Sequence, residues 1–297
     1  GEILERLAHE HPRLRVIHGE ALPDGWIGKP WALMQGADVA RGEWLLFTDA
    51  DTLHEPGACA SAVTHARRHA VSFLSLLPTQ IFETAGERIL LPTILWMIAF
   101  GVGSLEAIND PERLDAAIFN GQYLLVERAA YDAIGGHAAV RDRIAEDYAL
   151  AQIVKNDGRF HSRLAGASDL VFTRMYRSAR EVWDGFSKNL YVAAENKPAQ
   201  AVVGSIALAA ISPLPSLLLL HALKHGERKR ALRMGVTILA TSLTAEAGMR
   251  HSRFPRGSGL FFPIGIAAML GIFLNSALAH RTGRVSWRGR RYPRRTT

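Results

Sequence analysis

Cysteine occurs once, at Cys59, which excludes an intramolecular disulfide and a cysteine-built zinc site. Acid is missing from the C-terminal end: residues 281–297 hold seven Arg and no Asp or Glu. The net charge of +7 therefore resides in that tail, and the remainder of the chain is neutral. A basic tail beside an apolar stretch faces anionic lipid on the cytoplasmic side. No nucleic-acid motif accompanies it, so no nucleic acid is expected as a partner. Gly28-Lys29 lacks the glycine spacing and the following Ser or Thr of a P-loop. His65 and His69 lie four apart on one helix face but have no third ligand, which leaves them surface histidines. A starting Met and a signal peptide are also missing. The first residues already read as a helix, with Ile3, Leu4 and Leu7 on one face, so an N-terminally truncated chain is expected.

What is there divides the 297 residues in two. Hydrophobic residues make up 48% and charged ones 21%, and the apolar share is concentrated after Gln200. Ala201 to Leu220 and Gly259 to Ala279 run without charge for twenty and twenty-one residues, each long enough to span a bilayer. Met234 to Ala245 is a third, shorter run of twelve. Residues 199–280 are therefore expected to be a transmembrane region of two or three spans, between a domain over 1–198 and the basic tail over 281–297.

The domain is organised around Trp44 to Thr48, a short apolar and β-favouring run with the pattern of a central parallel strand. Asp49 and Asp51 follow at its carboxyl end, where open α/β sheets place their ligands. A divalent cation holding a diphosphate would satisfy such a pair, and a turn with the N-cap of the next helix would equally use it. Upstream, Leu14 to Ile17 reads as a strand, 22–30 as a loop and Trp31 to Val39 as a helix. Lys29, in that loop, could present its charge to phosphate at the helix start, or be solvated. Downstream, a helix over 55–69 and a strand over 71–77 precede Ile89 to Leu105, an uncharged run read as a buried or interfacial helix. Ala117 to Val126 is a strand region broken by Asn120-Gly121-Gln122, where glycine lets a ligand approach the backbone. Glu146 and Asp147 open a helix, a place that also suits acids on dipole grounds alone. Leu170 to Phe172 forms a strand leading to Arg174 and Arg177, whose guanidinium forks match phosphate oxygens or serve as surface charge. Val182, Phe186 and Leu190 mark one face of a helix over 178–193, with Trp183 beside it.

The order of these pieces resembles the membrane-attached family 2 glycosyltransferases of the GT-A fold. The matching residues are Gly28-Lys29 with Ala32 and Gly36, Ala40 to Glu43, Phe47 to Asp51, Gly135-Gly136-His137 and Glu146-Asp147. The run Arg174 to Arg177, the helix from Trp183 to Asn189 and the apolar C-terminal segments resemble the subgroup that glycosylates carotenoid or hopanoid-type lipids. The resemblance implies an α/β domain with a Rossmann-like, mixed and mostly parallel sheet and flanking helices, its first strand missing here, followed by transmembrane helices. It implies Asp51, with Asp49, as ligands of Mg²⁺ or Mn²⁺ on a nucleotide-sugar diphosphate, a UDP-sugar. Asp147 would be the catalytic base, with Glu146 supporting it. Asn120, Gly121 and Gln122 would line the donor sugar, Arg174 and Arg177 the diphosphate, and Lys29, Gly136 and Trp183 would complete substrate binding. The implied activity is inverting transfer of a hexosyl group to a hydroxyl of an isoprenoid-type lipid, by a multi-pass cell-membrane protein with its catalytic domain on the cytoplasmic side. The Gln-x-x-Arg-Trp signature of processive synthases is unmatched. A processive polysaccharide synthase and a non-catalytic, membrane-tethered binding protein stand as the alternatives.

Overall fold

A computed structural model describes residues 1–167, 169–194, 198–284, 286–287 and 290–291. The expected basic tail lies largely outside the described residues, as do residues 195–197 beside the expected domain boundary. The first elements are α1 (Glu2–Glu10), α2 (Gly28–Val39), β1 (Trp44–Thr48), β2 (Thr52–His54) and α3 (Ala58–Arg68). Next come β3 (Phe73–Leu77), β4 (Thr79–Gln80), α4 (Ala85–Val102), α5 (Leu105–Asn109), β5 (Tyr123–Glu127) and α6 (Arg128–Ala133). Then come α7 (Glu146–Asp157), β6 (Ser162–Gly166), β7 (Val171–Thr173) and α8 (Ala179–Ala194). The last helices are α9 (Pro198–Ile211), α10 (Pro213–Lys224), α11 (Arg228–His251) and α12 (Phe262–Thr282). Two compact units alternate along the chain. The first is Gly1–Asp49, Pro56–Leu77 and Asn109–Gly166, and the second is Ala50–Glu55, Pro78–Ile108 and Ala167–Thr297.

The first unit carries a four-stranded sheet of order β1-β5-β3-β6. Strand β5 runs antiparallel to both β1 and β3, and only β3 and β6 pair in parallel. The sheet is therefore mixed, as expected, but among the described residues two of its three pairings are antiparallel rather than parallel. Trp44–Thr48 is an edge strand among the described residues, not a central parallel one. An apolar run reports burial, and it does not report the direction of the neighbouring strand. β3 and β5 are buried along nearly their whole length, whereas β1 buries Leu45 and Phe47 and leaves Trp44 and Leu46 half-exposed. Leu14 to Ile17 forms no strand, and both end residues are exposed. Such a short run has no ladder partner among the described residues and forfeits the pairing that would hold it extended.

Phe73, Leu124, Val126, Leu150 and Val154 join Leu45 and Phe47 in one core, each large side chain contributing about 1.5–3 kcal/mol by leaving water. The register of β1 against β5 positions the acid at the end of β1. Thr48 lies opposite Tyr123, which sets Asp49 beside the Asn120-Gly121-Gln122 turn that leads into β5.

The second unit has a three-stranded sheet of order β2-β7-β4. Its helical part is held by Leu91 and Ile94 from α4, Val182, Phe186 and Leu190 from α8, and Ile272 from α12. The apolar spacing on α8 is the one the sequence shows. Small residues permit close approach: a Cβ on Gly271 would stand 2.8 Å from the Trp183 ring. The start of α4 is fixed by a reciprocal cap between Thr84 and Glu87, a Thr-x-x-Glu signature.

Three helical stretches are long and apolar enough to cross a membrane: Ala85–Val102, Ala201–Lys224 and Ser258–Thr282. The run Met234 to Ala245 is not among them. It sits inside α11, whose charged ends leave twelve uncharged residues, about 18 Å of helix against a hydrocarbon core of about 30 Å. The Ala201–Lys224 stretch is interrupted at Ser212, where Pro213 and Pro215 begin a new helix. Proline cannot donate the continuing hydrogen bond and pushes the preceding residue out of helical geometry.

Candidate functional site

Lys29 belongs to the first turn of α2 rather than to the preceding loop. From there its ammonium reaches two carboxylates, 2.9 Å from Asp49 Oδ1 and 2.8 Å from Glu146 Oε1. Asp49 comes off the end of β1, and Glu146 and Asp147 open α7. Burial works against the Lys29 charge, but Glu146, Asp49 and Asp147 outweigh it and hold the ammonium well above the ordinary lysine range. Glu146 is only 5% exposed. Burial raises its carboxyl, the like charge of Asp147 adds to the rise, and Lys29 opposes both. One cation thus pairs with two acids, and it offsets the repulsion between Glu146 and Asp147.

Asp147 is oriented by backbone. The Gly121 N–H donates to Oδ2 at 2.9 Å, and the Tyr148 N–H donates to Oδ1 at 2.8 Å. The Asn120 turn that supplies Gly121 is itself pinned. The Asn120 N–H donates to Ser75 Oγ at 2.7 Å, the Gln122 N–H to Asn120 Oδ1 at 2.9 Å, and the Thr48 hydroxyl to the Gln122 carbonyl at 3.0 Å. A Cβ on Gly121 would stand 3.1 Å from both Asp147 Oδ2 and Lys29 Nζ. With Asp147 in the role the resemblance implies, Gly121→Ala is expected to displace both groups and lower the rate about tenfold without unfolding the chain, because small misplacements of reacting groups carry large rate penalties. Steady-state rates beside a thermal unfolding curve check this.

Below these groups lies a buried histidine. Gly136 has φ +50, and a side chain there would collide with the Tyr131 ring. The Gly135-Gly136-His137 sequence thereby lets the Tyr131 hydroxyl accept from the His137 N–H at 3.0 Å and meet Nδ1 at 2.9 Å. Phe47 packs edge-on against the imidazole. Burial first, then the Lys29 charge, push the His137 pKa down to about 4. An unfolded histidine titrates near 6.5. The stability from keeping His137 neutral is therefore complete above about pH 6.5 and is lost as pH falls through about 4, a change of roughly 3 kcal/mol. Denaturation curves at pH 7 and pH 4.5 should show the loss, and His137→Gln should remove much of that difference.

The first unit thus brings together Lys29, Asp49, Asn120, Gly121, Gln122, Glu146 and Asp147, and sets Gly136 against Tyr131. The other expected site residues lie in the second unit. Asp51 is exposed, and its carbonyl accepts from the Thr173 hydroxyl at 3.2 Å. Arg174 is paired with Glu83 and with the fully buried Glu87, 2.9 Å from Nη2. Arg177 is exposed, with its N–H donating to Glu181 at 2.8 Å. Trp183 packs with the α4–α8–α12 cluster. The sequence reading missed Ser75, the buried hydroxyl that fixes Asn120, and the Glu83 and Glu87 pair on Arg174. No local pattern marks Ser75, whereas the Thr84-x-x-Glu87 spacing was available.

Among the described residues no three His, Cys, Asp or Glu side chains gather as an all-protein metal site. A magnesium-type ion bound through one or two carboxylates and substrate phosphates needs no such cluster. Asp49 and Asp51 each supply a carboxylate of the kind such an ion takes, and Asp49 is already shared with Lys29.

Residues 1–296 match the sequence profile of glycosyl transferase family 21. No curated protein matches the chain. Among solved structures, the chain is similar to the mannosyltransferase PcManGT from Pyrobaculum calidifontis, in complex with GDP-Man and Mn²⁺. The identity is 16% and the TM-score 0.48, over 94% of this chain and 73% of that one. The motifs resembled family 2, and the profile names family 21, so short acidic motifs alone did not separate the two. The chain belongs to glycosyl transferase family 21.

Proposed function

We propose that this family 21 glycosyltransferase is a membrane-bound enzyme of GT-A type that moves a hexosyl group from a nucleotide-sugar, a UDP-sugar, to a hydroxyl of an isoprenoid-type lipid, with inversion. The observation that carries the reading is the Asp147 carboxylate, held by two backbone N–H groups beside the Lys29–Glu146 pair. A base so fixed can take a proton within hydrogen-bond reach. In this reading Asp147 accepts the acceptor's hydroxyl proton as the oxygen bonds to the anomeric carbon. The bond from that carbon to the diphosphate oxygen breaks, and the electron pair leaves with the nucleoside diphosphate. Asn120, Gly121 and Gln122 line the sugar, and Lys29 and Glu146 keep Asp147 placed. Asp51, with Asp49, would hold Mg²⁺ or Mn²⁺, which when bound neutralises the leaving diphosphate. The three apolar helices support membrane attachment, and the basic tail supports a cytoplasmic catalytic unit.

The test is transfer by the full chain in detergent, using labelled nucleotide sugars and a lipid extract. Product is expected with Mn²⁺ or Mg²⁺ and not after chelation, and Asp51→Ala should reduce the rate at least as strongly as chelation. Turnover indifferent to both changes would remove the metal from the reading. Absence of label from the lipid fraction would remove the lipid acceptor.

A further inference from the structure

We infer that the turn joining α10 to α11 is a binding site for the phosphodiester headgroup of an anionic phospholipid. The inference rests on the proposed membrane attachment and on nothing in the transfer chemistry. The turn concentrates charge of one sign: Lys224, Arg228, Lys229, Arg230 and Arg233 fall within ten residues that contain one acid, Glu227. Glu227 is taken by Arg230 at 3.1 Å. Lys224, Arg228, Lys229 and Arg233 are exposed, with no carboxylate at ion-pair distance among the described residues.

These cations surround a place for a ligand. An open cleft of about 800 Å³ is lined by Arg228, Lys229, Arg230 and Arg233, by Glu227, which Arg230 pairs, and by Leu218, Gly226 and Met234. The two kinds of lining call for two kinds of ligand surface. A guanidinium fork matches phosphate oxygens, and Leu218 with Met234 favours hydrocarbon beside them. Free phosphate satisfies only the first. A phospholipid satisfies both, with its headgroup at the cations and its chains along the apolar side.

The helices on either side agree. Leu217, Leu220 and Leu223 on α10, and Leu232, Val236 and Leu239 on α11, are large apolar side chains more than half exposed. Leucines left in water at that density mark a surface meant for another apolar phase. The cationic turn caps these two faces, which is the place of a headgroup relative to acyl chains. Basic side chains at such a boundary attract anionic lipid in a salt-dependent way.

The experiment is native mass spectrometry of the detergent-extracted full chain with added phosphatidylglycerol or phosphatidylcholine. About tenfold greater retention of phosphatidylglycerol is expected from several basic side chains acting together. The triple variant Arg228→Gln, Lys229→Gln, Arg233→Gln should bring the two lipids level, and Lys229→Gln alone should lower the preference about threefold. Neutralising three exposed cations elsewhere, with Arg13→Gln, Arg15→Gln and Arg68→Gln, should leave it intact. Equal retention of the two lipids, a preference that survives the triple variant, or displacement of phosphatidylglycerol by inorganic phosphate would overturn the site. Flotation with phosphatidylcholine vesicles separates the two ideas. A chain that floats but shows no lipid preference overturns the headgroup site alone, whereas a chain that does not float overturns membrane attachment and the site with it.

Discussion

Asp147→Asn is expected to lower kcat by about 100- to 10,000-fold, the range over which a positioned general base contributes, while donor binding changes little. The amide keeps the size of the carboxylate and loses its ability to take the proton. It also disturbs the support, because the two oxygens each accept from a backbone N–H, Gly121 on one side and Tyr148 on the other. One of those donors would face an NH₂ group, so a small loss of stability, about 1 kcal/mol, accompanies the catalytic loss. A thermal unfolding curve separates the two effects. A variant that remains folded and turns over at a rate near that of the unchanged chain would exclude Asp147 as the base and return the role to Glu146 or to water.

Lys29→Met should be the next most damaging change, for a different reason. Removing one partner of a buried ion pair leaves the other charge uncompensated, at a cost of about 3–5 kcal/mol when both are fully buried. Lys29 is 40% exposed at its side chain while Glu146 is 7% exposed, so solvent screening reduces the expected loss to about 1–3 kcal/mol. The sign of the pH dependence is diagnostic. Without the cation the Glu146 carboxyl, already raised by burial and by Asp147, rises further. A group whose folded pKa lies above its unfolded value stabilises the fold at low pH and loses that contribution as pH rises through the folded pKa. The gap in stability between Lys29→Met and the unchanged chain should therefore be narrower at pH 5 than at pH 8. Adding Glu146→Gln removes the stranded charge and should recover most of the stability without recovering turnover. Denaturant titrations at the two pH values, with rates for the single and double variants, check this. A gap that widens toward pH 5 would show that Lys29 does not neutralise Glu146.

Taken together, these two changes divide the site into a base and a frame. In the proposed reaction Asp147 is the group that accepts the proton. The Gly121 and Tyr148 N–H groups decide where its oxygens point, and Lys29 with Asp49 and Glu146 frames them. The Gly135-Gly136-His137 run reads in the sequence as a loop, and the structure gives it a packing function: a left-handed backbone and a missing side chain let Tyr131 and His137 meet beneath β1. Burial there and the Lys29 charge keep the imidazole neutral, and this ties the stability of the first unit to pH.

The sequence by itself determined what depends on near neighbours along the chain. The limits of β1 come from the run Trp44 to Thr48, the buried face of α8 from the spacing of Val182, Phe186 and Leu190, and the opening of α7 from Glu146 and Asp147. Two of the apolar segments long enough to cross a membrane were legible from the lack of charge alone. Burial and periodicity are local properties, because a strand repeats every two residues and a helix every 3.6. The tertiary structure alone decided which strand runs beside β1 and in which direction, and that Leu14 to Ile17 stays unpaired among the described residues. It alone placed the Lys29 ammonium between Asp49 and Glu146, three residues far apart in the chain. Lys29 in isolation is indistinguishable from a solvated lysine. Its charge acquires a purpose only when the end of β1 and the start of α7 bring two acids to it, and no short-range pattern encodes that meeting.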